Sequence, residues 1–440
     1  DITAKTFALR HQKVVDAMKA DGFDALFLYA DREHAANFGY LTGFEPRFEE
    51  SVLILHADGR SFMLLGNESL RMQAYSQLPV TAVHVPHLSL PNQPMGNTET
   101  LKELMAKADL RFGMSVGVIG WKMFSSTIED NSRFFDVPDF LMAPLKELVG
   151  AENLKNAAYL LIDADKGVRV INGANDIAHY EFGAALASDR VRRLLGEIEV
   201  GKTELELAQN LSAFGQPTSV TTICATGERF TNAVVWPRAK AVAMGDKFSV
   251  TLGLHGGLTN RVAYVARTPE DLPEDVRDYV DVVARPYYAG ISTWYETVRV
   301  GITAGELYAA VDAALPKDKY GWVLNPGHLT SDEEWLSSPV YKDSPVVLKS
   351  GMMFQMDIIP KVEGYGGVNA EDGVALADKD LRDQIKAEYP EVWARIESRR
   401  KYMIETLGIR LHPDVLPLSN LAGYLRPLLL CRDCALKVVR

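Results

Sequence analysis

The chain has 440 residues, 58 acidic against 47 basic side chains, a formal net charge of −11, and 47% hydrophobic residues. That length calls for two domains with sizeable cores. The acidic balance, with no Lys/Arg-rich run, argues against nucleic acid or an anionic membrane surface as partner. No apolar run approaches the length of a bilayer span, and Asp1-Ile2-Thr3-Ala4-Lys5 does not lead from a basic start into an apolar stretch, so neither a membrane span nor a secretory signal is expected. Three cysteines, Cys224, Cys431 and Cys434, fit a reducing compartment, and a cytoplasmic protein is expected.

The first elements alternate helix and strand. Residues 5–21 place Phe7, Val14, Val15 and Met18 at helical spacing and stop near Gly22. Ala25 to Tyr29 reads as a buried strand. Ser51 to Leu55 and Ser61 to Leu65 flank Asp58-Gly59, a strong hairpin signal. A helix around Glu99 to Ala108 precedes a strand over Ser115 to Gly120. This pattern predicts an α/β layer domain over residues 1–155, with a second domain over 156–440.

Helices lead the second domain. Thr203 with Glu206 and Thr303 with Glu306 both match the capping-box pattern, and each follows a Val-Gly pair, a hint of an internally duplicated half-domain. Between them, Phe248 to His255 and Leu258 to Arg267 form a hairpin around Gly256-Gly257. Met352 to Ile359 and Val368 to Ala377 form another, so this domain is α+β. From about residue 389 the chain is helical, then turns through His412-Pro413.

Three residues carry chemistry here: His328 in Asn325-Pro326-Gly327-His328, Asp357 in Gln355-Met356-Asp357, and Glu371 in Glu371-Asp372-Gly373. An imidazole and two carboxylates on a loop and adjacent strands make up most of a two-metal hydrolytic site. The upstream hairpin, Phe248 to Arg267, contains no Asp or Glu to complete it. Cys431-Arg432-Asp433-Cys434 is a C-x-x-C with no second pair for zinc and no thioredoxin-type unit around it.

The order and spacing of Val200-Gly201-Lys202-Thr203-Glu204, Gly245-Asp246, Gly327-His328, the Gly351 to Asp357 strand and Glu371-Asp372-Gly373 resemble the creatinase/aminopeptidase P/methionine aminopeptidase family. The resemblance covers most of the chain. It implies a creatinase-type N-terminal α/β domain followed by a pita-bread domain with a C-terminal helical extension. Metal-dependent members of that family use five ligands: two Asp on the first hairpin, a His, and two carboxylates on the second. By this resemblance His328 matches the His, Asp357 stands where a Glu is usual, and Glu371 matches the last ligand. The first Asp position falls on Thr251 and the second on Asn260 or Arg261. The His with which creatinase works has no counterpart in Asn232 to Arg238, and a further family His falls near Trp335. The family also implies a homodimer, in which His84 and His87 of the N-terminal domain are supporting candidates.

Two divalent ions need several anionic ligands, whereas two carboxylates and one imidazole remain, so no metal cofactor is expected, a single weakly held ion being the exception. The resulting expectation is a hydrolase of C–N bonds in a small amide, dipeptide or amidino substrate. His328, Asp357 and Glu371 are its catalytic candidates, with Arg261, Thr251 and Trp335 as substrate-binding residues and Arg261 as an internal cation for the carboxylate pair. The alternatives are a non-catalytic small-molecule-binding protein of the same fold and a metal-dependent Xaa-Pro peptidase.

Overall fold

Strand β1, Ala25–Ala30, has every side chain buried, as an unbroken apolar run requires. In the computed structural model, which describes residues 1–96, 98–228 and 235–440, it is an inner strand of a six-stranded sheet. The sheet also contains β2 (Ser51–His56), β3 (Ser61–Leu65), β4 (Thr81–His84), β5 (Val116–Ile119) and β6 (Leu154–Asn156), in the order β4-β3-β2-β1-β5-β6. β1 pairs antiparallel with β2 and parallel with β5. The hairpin between β2 and β3 turns at Asp58-Gly59, where Asp58 accepts a hydrogen bond from the Arg60 amide and Gly59 has φ 90°. The first helix, Ala4–Ala20, begins where the Thr3 side chain accepts from the Thr6 amide and ends before Gly22 at φ 74°. These elements belong to one compact unit, Asp1–Val170; the second is Ile171–Arg440.

The second unit is built on an antiparallel sheet. Its strands are β7 (Ile223–Thr226), β8 (Lys247–Leu254), β9 (Gly257–Tyr264), β10 (His328–Leu329), β11 (Met353–Met356), β12 (Asn369–Leu376) and β13 (Val415–Pro417). They lie in the order β10-β11-β12-β9-β8-β7, with β13 pairing β12 off this path. Both expected capping boxes form, at Thr203/Glu206 and Thr303/Glu306. Residues 229–234, which include Asn232 to Val234, lie outside the described residues.

Alternation along β8 decides what the sheet presents. Phe248, Val250, Leu252 and Leu254 are buried with Ala187, Val191 and Leu194 of the helix Ala174–Glu197. Thr251, between them, points to the opposite face. The helix comes so close to the β8–β9 turn that a Cβ at Gly183 would strike the His255 carbonyl. Glu181, on the same helix and fully buried, accepts from Arg395 (2.9 and 2.5 Å) and from Arg399 (2.6 Å) of the helix Pro390–Lys401. Among the described residues, no helix is long and apolar enough to cross a membrane.

Removing the Glu181 carboxylate leaves the buried Arg399 uncompensated. Glu181→Leu is therefore expected to cost about 3–5 kcal/mol in urea-induced unfolding, against less than about 1 kcal/mol for substituting the exposed Asp383 of the Lys379–Asp383 pair.

Candidate active site

Two rows of paired residues cross the second sheet and place the candidate side chains on one face. Thr251 pairs Asn260, and Asn260 pairs Glu371, across β8, β9 and β12. His328 pairs Gln355, and Gln355 pairs Gly373, across β10, β11 and β12. Glu371 and Gly373 are two residues apart on one strand, so both rows share a face. Asp357 follows the last paired residue of β11 and completes the cluster: His328, Asp357 and Glu371 each offer a donor atom, all within 4.8 Å of one another. All three are buried.

The register also resolves the second hairpin position. Asn260, not Arg261, lies in the row with Thr251 and Glu371. Arg261 points to the other face, so it is not the internal cation expected between Asp357 and Glu371. Its ion pair is with Asp372 (2.7 Å). Its remaining donors reach Leu421 O (2.7 Å), Tyr424 O (2.9 Å), Asn260 O (2.6 Å) and Glu371 O (3.2 Å). Five N–H groups thus meet five acceptors, which leaves none for a substrate. The Ser419 hydroxyl donates to the other oxygen of Asp372 (2.5 Å).

Glu334 joins the cluster without having been singled out in the sequence. Its carboxylate lies 2.8 Å from His328 Nε2, close enough for an ion pair although outside hydrogen-bond geometry, and Glu371 lies 3.9 Å from the same nitrogen. Trp335 stacks on the imidazole with centroids 4.1 Å apart and planes 20° from parallel. The acidic run Asp332-Glu333-Glu334, following His328 so closely, was the available signal. A fold-back supplies the contact: Leu329 N donates to Ser337 O and Leu336 N to Leu329 O. The loop is fixed further by Gly256 N donating to Ser331 O and by a Tyr180–Ser331 hydroxyl contact of 2.9 Å.

The electrostatics follow from this packing. Burial alone would lower the His328 pKa, but the Glu334 carboxylate, with Asp357 behind it, outweighs burial and raises it. Burial raises Asp357, opposed by His328 and reinforced by Glu334. Glu371 is pushed well up, first by burial and then by the negative charges of Asp357 and Glu334. Several carboxyl groups around one imidazole therefore favour shared protons over full ionisation. Gln355 donates to Glu371 (3.2 Å) and Asn369 to Asp357 (3.4 Å). The oxygens of both amides, together with Thr251 Oγ1 and Asn260 Oδ1, are buried and have no hydrogen-bond partner among the described residues.

Comparison with known families bears on the same regions. Residues 179–378 match the model of metallopeptidase family M24, and residues 10–142 match that of the creatinase/prolidase N-terminal domain. The chain belongs to the creatinase/aminopeptidase P superfamily. Its fold is a creatinase-type N-terminal domain followed by a pita-bread domain, as expected. The solved structures agree on the fold. The Xaa-Pro dipeptidase of Bacillus anthracis superposes with a TM-score of 0.61 at 16% identity, over 85% of this chain and 96% of that one. The prolidase of Pyrococcus horikoshii gives 0.62 at 19%, over 84% and 95%, and the X-Pro aminopeptidase of Thermotoga maritima 0.62 at 14%, over 84% and 95%. No curated protein sequence matches this superfamily member.

The metal pair that a metallopeptidase family implies does not fit these residues. On the first hairpin, Thr251 and Asn260 offer neutral oxygens, which do not supply the anionic ligands a second divalent ion needs. The cluster of His328, Asp357 and Glu371, with Glu334 beside it, suits at most one divalent ion. Calorimetric titration with Mn²⁺ tests this arithmetic. Thr251→Asp combined with Asn260→Asp is expected to add one bound ion per chain relative to wild type. Unchanged stoichiometry would contradict the assignment of those two positions.

Arg261→Met leaves Asp372 buried without its cation, and is expected to lower stability by about 3–5 kcal/mol in chemical denaturation.

Proposed function

We propose that this superfamily member hydrolyses a C–N bond in a small amide, dipeptide or amidino substrate without a metal pair. One observation carries the reading: the candidate site is rich in buried acceptors that lack donors. Thr251 Oγ1, Asn260 Oδ1, Gln355 Oε1 and Asn369 Oδ1 are orphaned around the carboxyls of Asp357 and Glu371. Unmatched buried acceptors are costly, and a ligand presenting several N–H groups relieves that cost. Amides and amidino groups do so; a purely apolar ligand does not.

In this reading Thr251 and Asn260 orient the substrate's N–H groups, and the exposed edge of Trp335 forms a wall beside His328. Asp357 or Glu371, whichever is ionised, takes a proton from the attacking water as its oxygen bonds to the acyl or amidino carbon. His328, its pKa raised by Glu334, gives a proton to the departing nitrogen as the C–N bond breaks. Arg261 acts only as a positioning residue. A homodimer is part of the proposal on family grounds, and sedimentation velocity reads it directly.

A second reading has a specific observation in its favour. Three donor atoms within 4.8 Å of one another suit one divalent ion held by His328, Asp357 and Glu371. A bound ion there supplies Lewis acidity. Assay of the chelator-stripped protein against Xaa-Pro dipeptides, small amides and guanidino compounds separates the readings. Turnover that persists in EDTA and falls by about 100-fold or more in His328→Asn supports the first. Turnover that appears only on adding Mn²⁺ supports the second. Binding without turnover across the whole panel would overturn both in favour of a binding protein.

A further inference from the structure

The cysteines differ sharply in environment. Cys224 is fully buried on β7, whereas Cys431 is half-buried and Cys434 exposed, and these two are joined as a disulfide with Cα atoms 5.3 Å apart. We propose that Cys431 and Cys434 are a reversible thiol–disulfide couple that fastens the C-terminal segment, and with it the acceptors that hold Arg261. The inference concerns thiol chemistry and tail docking, and stands apart from the hydrolase reading.

The turn that carries the pair is held by more than the sulfur bond. Cys431 N donates to Leu428 O (3.0 Å) and Cys434 N to Cys431 O (3.1 Å), while Arg432 between them lies 3.5 Å from Glu199. These contacts bring the two side chains together within one turn. A link spanning so few residues removes little chain entropy, so its loss leaves the fold standing. Short span and exposure are properties of a couple that cycles.

The segment around the turn leads back to the candidate site. On the upstream side, Leu429 N donates to Tyr264 O (2.8 Å) and Leu430 N to Ala266 O (3.0 Å), extending the sheet beyond β9. On the downstream side, Leu436 N donates to Leu425 O (2.9 Å) and Val438 N to Leu407 O (2.8 Å). The turn therefore closes residues 425–436 on themselves, and Val438 ties the end of the segment to Leu407. Just before them, Leu421 O and Tyr424 O accept from Arg261, whose other donors reach the carbonyls of Asn260 and Glu371.

The oxidant is a low-molecular-weight disulfide of the glutathione class. One cysteine thiolate attacks a sulfur of the oxidant, forming a mixed disulfide and releasing one thiol. The second cysteine attacks the protein-side sulfur of the mixed disulfide, forming the Cys431–Cys434 bond and releasing a second thiol. Two electrons and two protons pass from the cysteine pair to the oxidant.

The test equilibrates the full chain over a range of reduced-to-oxidised glutathione ratios. Alkylation and mass spectrometry report each cysteine, and amide hydrogen exchange reports residues 425–438. Cys431 and Cys434 are expected to lose and regain alkylation together in one two-electron step. Amides of Leu429, Leu436 and Val438 should exchange at least about threefold more slowly in the oxidised form. Cys431→Ser should exchange as the reduced wild type does in every buffer. Cysteines that stay alkylatable throughout, that titrate separately, or that remain bonded at every ratio would overturn the couple. Paired titration with unchanged exchange would overturn the fastening.

Discussion

A guanidinium carries five N–H donors in one plane, and Arg261 commits each of them inside the second unit. Two go to the carbonyls of Asn260 and Glu371, the strand residues whose side chains face the candidate site. Two more go to Leu421 and Tyr424 of the C-terminal segment, and the last to the buried Asp372. β9, β12 and the tail therefore meet at one cation. The site on one face of the sheet is held in register by an ion pair on the other. A lysine, with a single ammonium, cannot span acceptors arranged in this way.

That support fixes a pocket whose charge is gathered on the side of His328, Asp357 and Glu371. The first hairpin presents a hydroxyl and an amide, Thr251 and Asn260, and the far side presents the Glu334 carboxylate beside His328. The imidazole sits among carboxyl groups whose pKa values burial and mutual repulsion raise. Groups coupled so closely share protons between them. Neutral oxygens beside them suit a ligand with many N–H groups.

The sequence made some of this legible and hid the rest for identifiable reasons. His328, Asp357 and Glu371 were readable because each lies in a short local pattern whose order suffices to identify the superfamily. The two capping boxes were readable for the same reason, since a cap is decided within four residues. The orientation of Arg261 was not. A one-residue step along a strand moves a side chain to the opposite face, and only the pairing of β9 with β12 shows that Asn260 faces Glu371. Glu334 was harder to read: an acidic run close behind His328 was the only local hint, and its contact with His328 depends on a fold-back held by Ser337 and Tyr180. The satisfaction of Arg261 by Leu421 and Tyr424 depends on contacts about 160 residues away in sequence.

Anomalous diffraction from crystals grown with excess Mn²⁺ shows directly whether this pocket holds a metal pair. At most one anomalous peak per chain is expected, at the His328, Asp357 and Glu371 cluster, and none beside Thr251. Two strong peaks separated by about 3.5–4 Å, the spacing of a dinuclear hydrolytic centre, would contradict it.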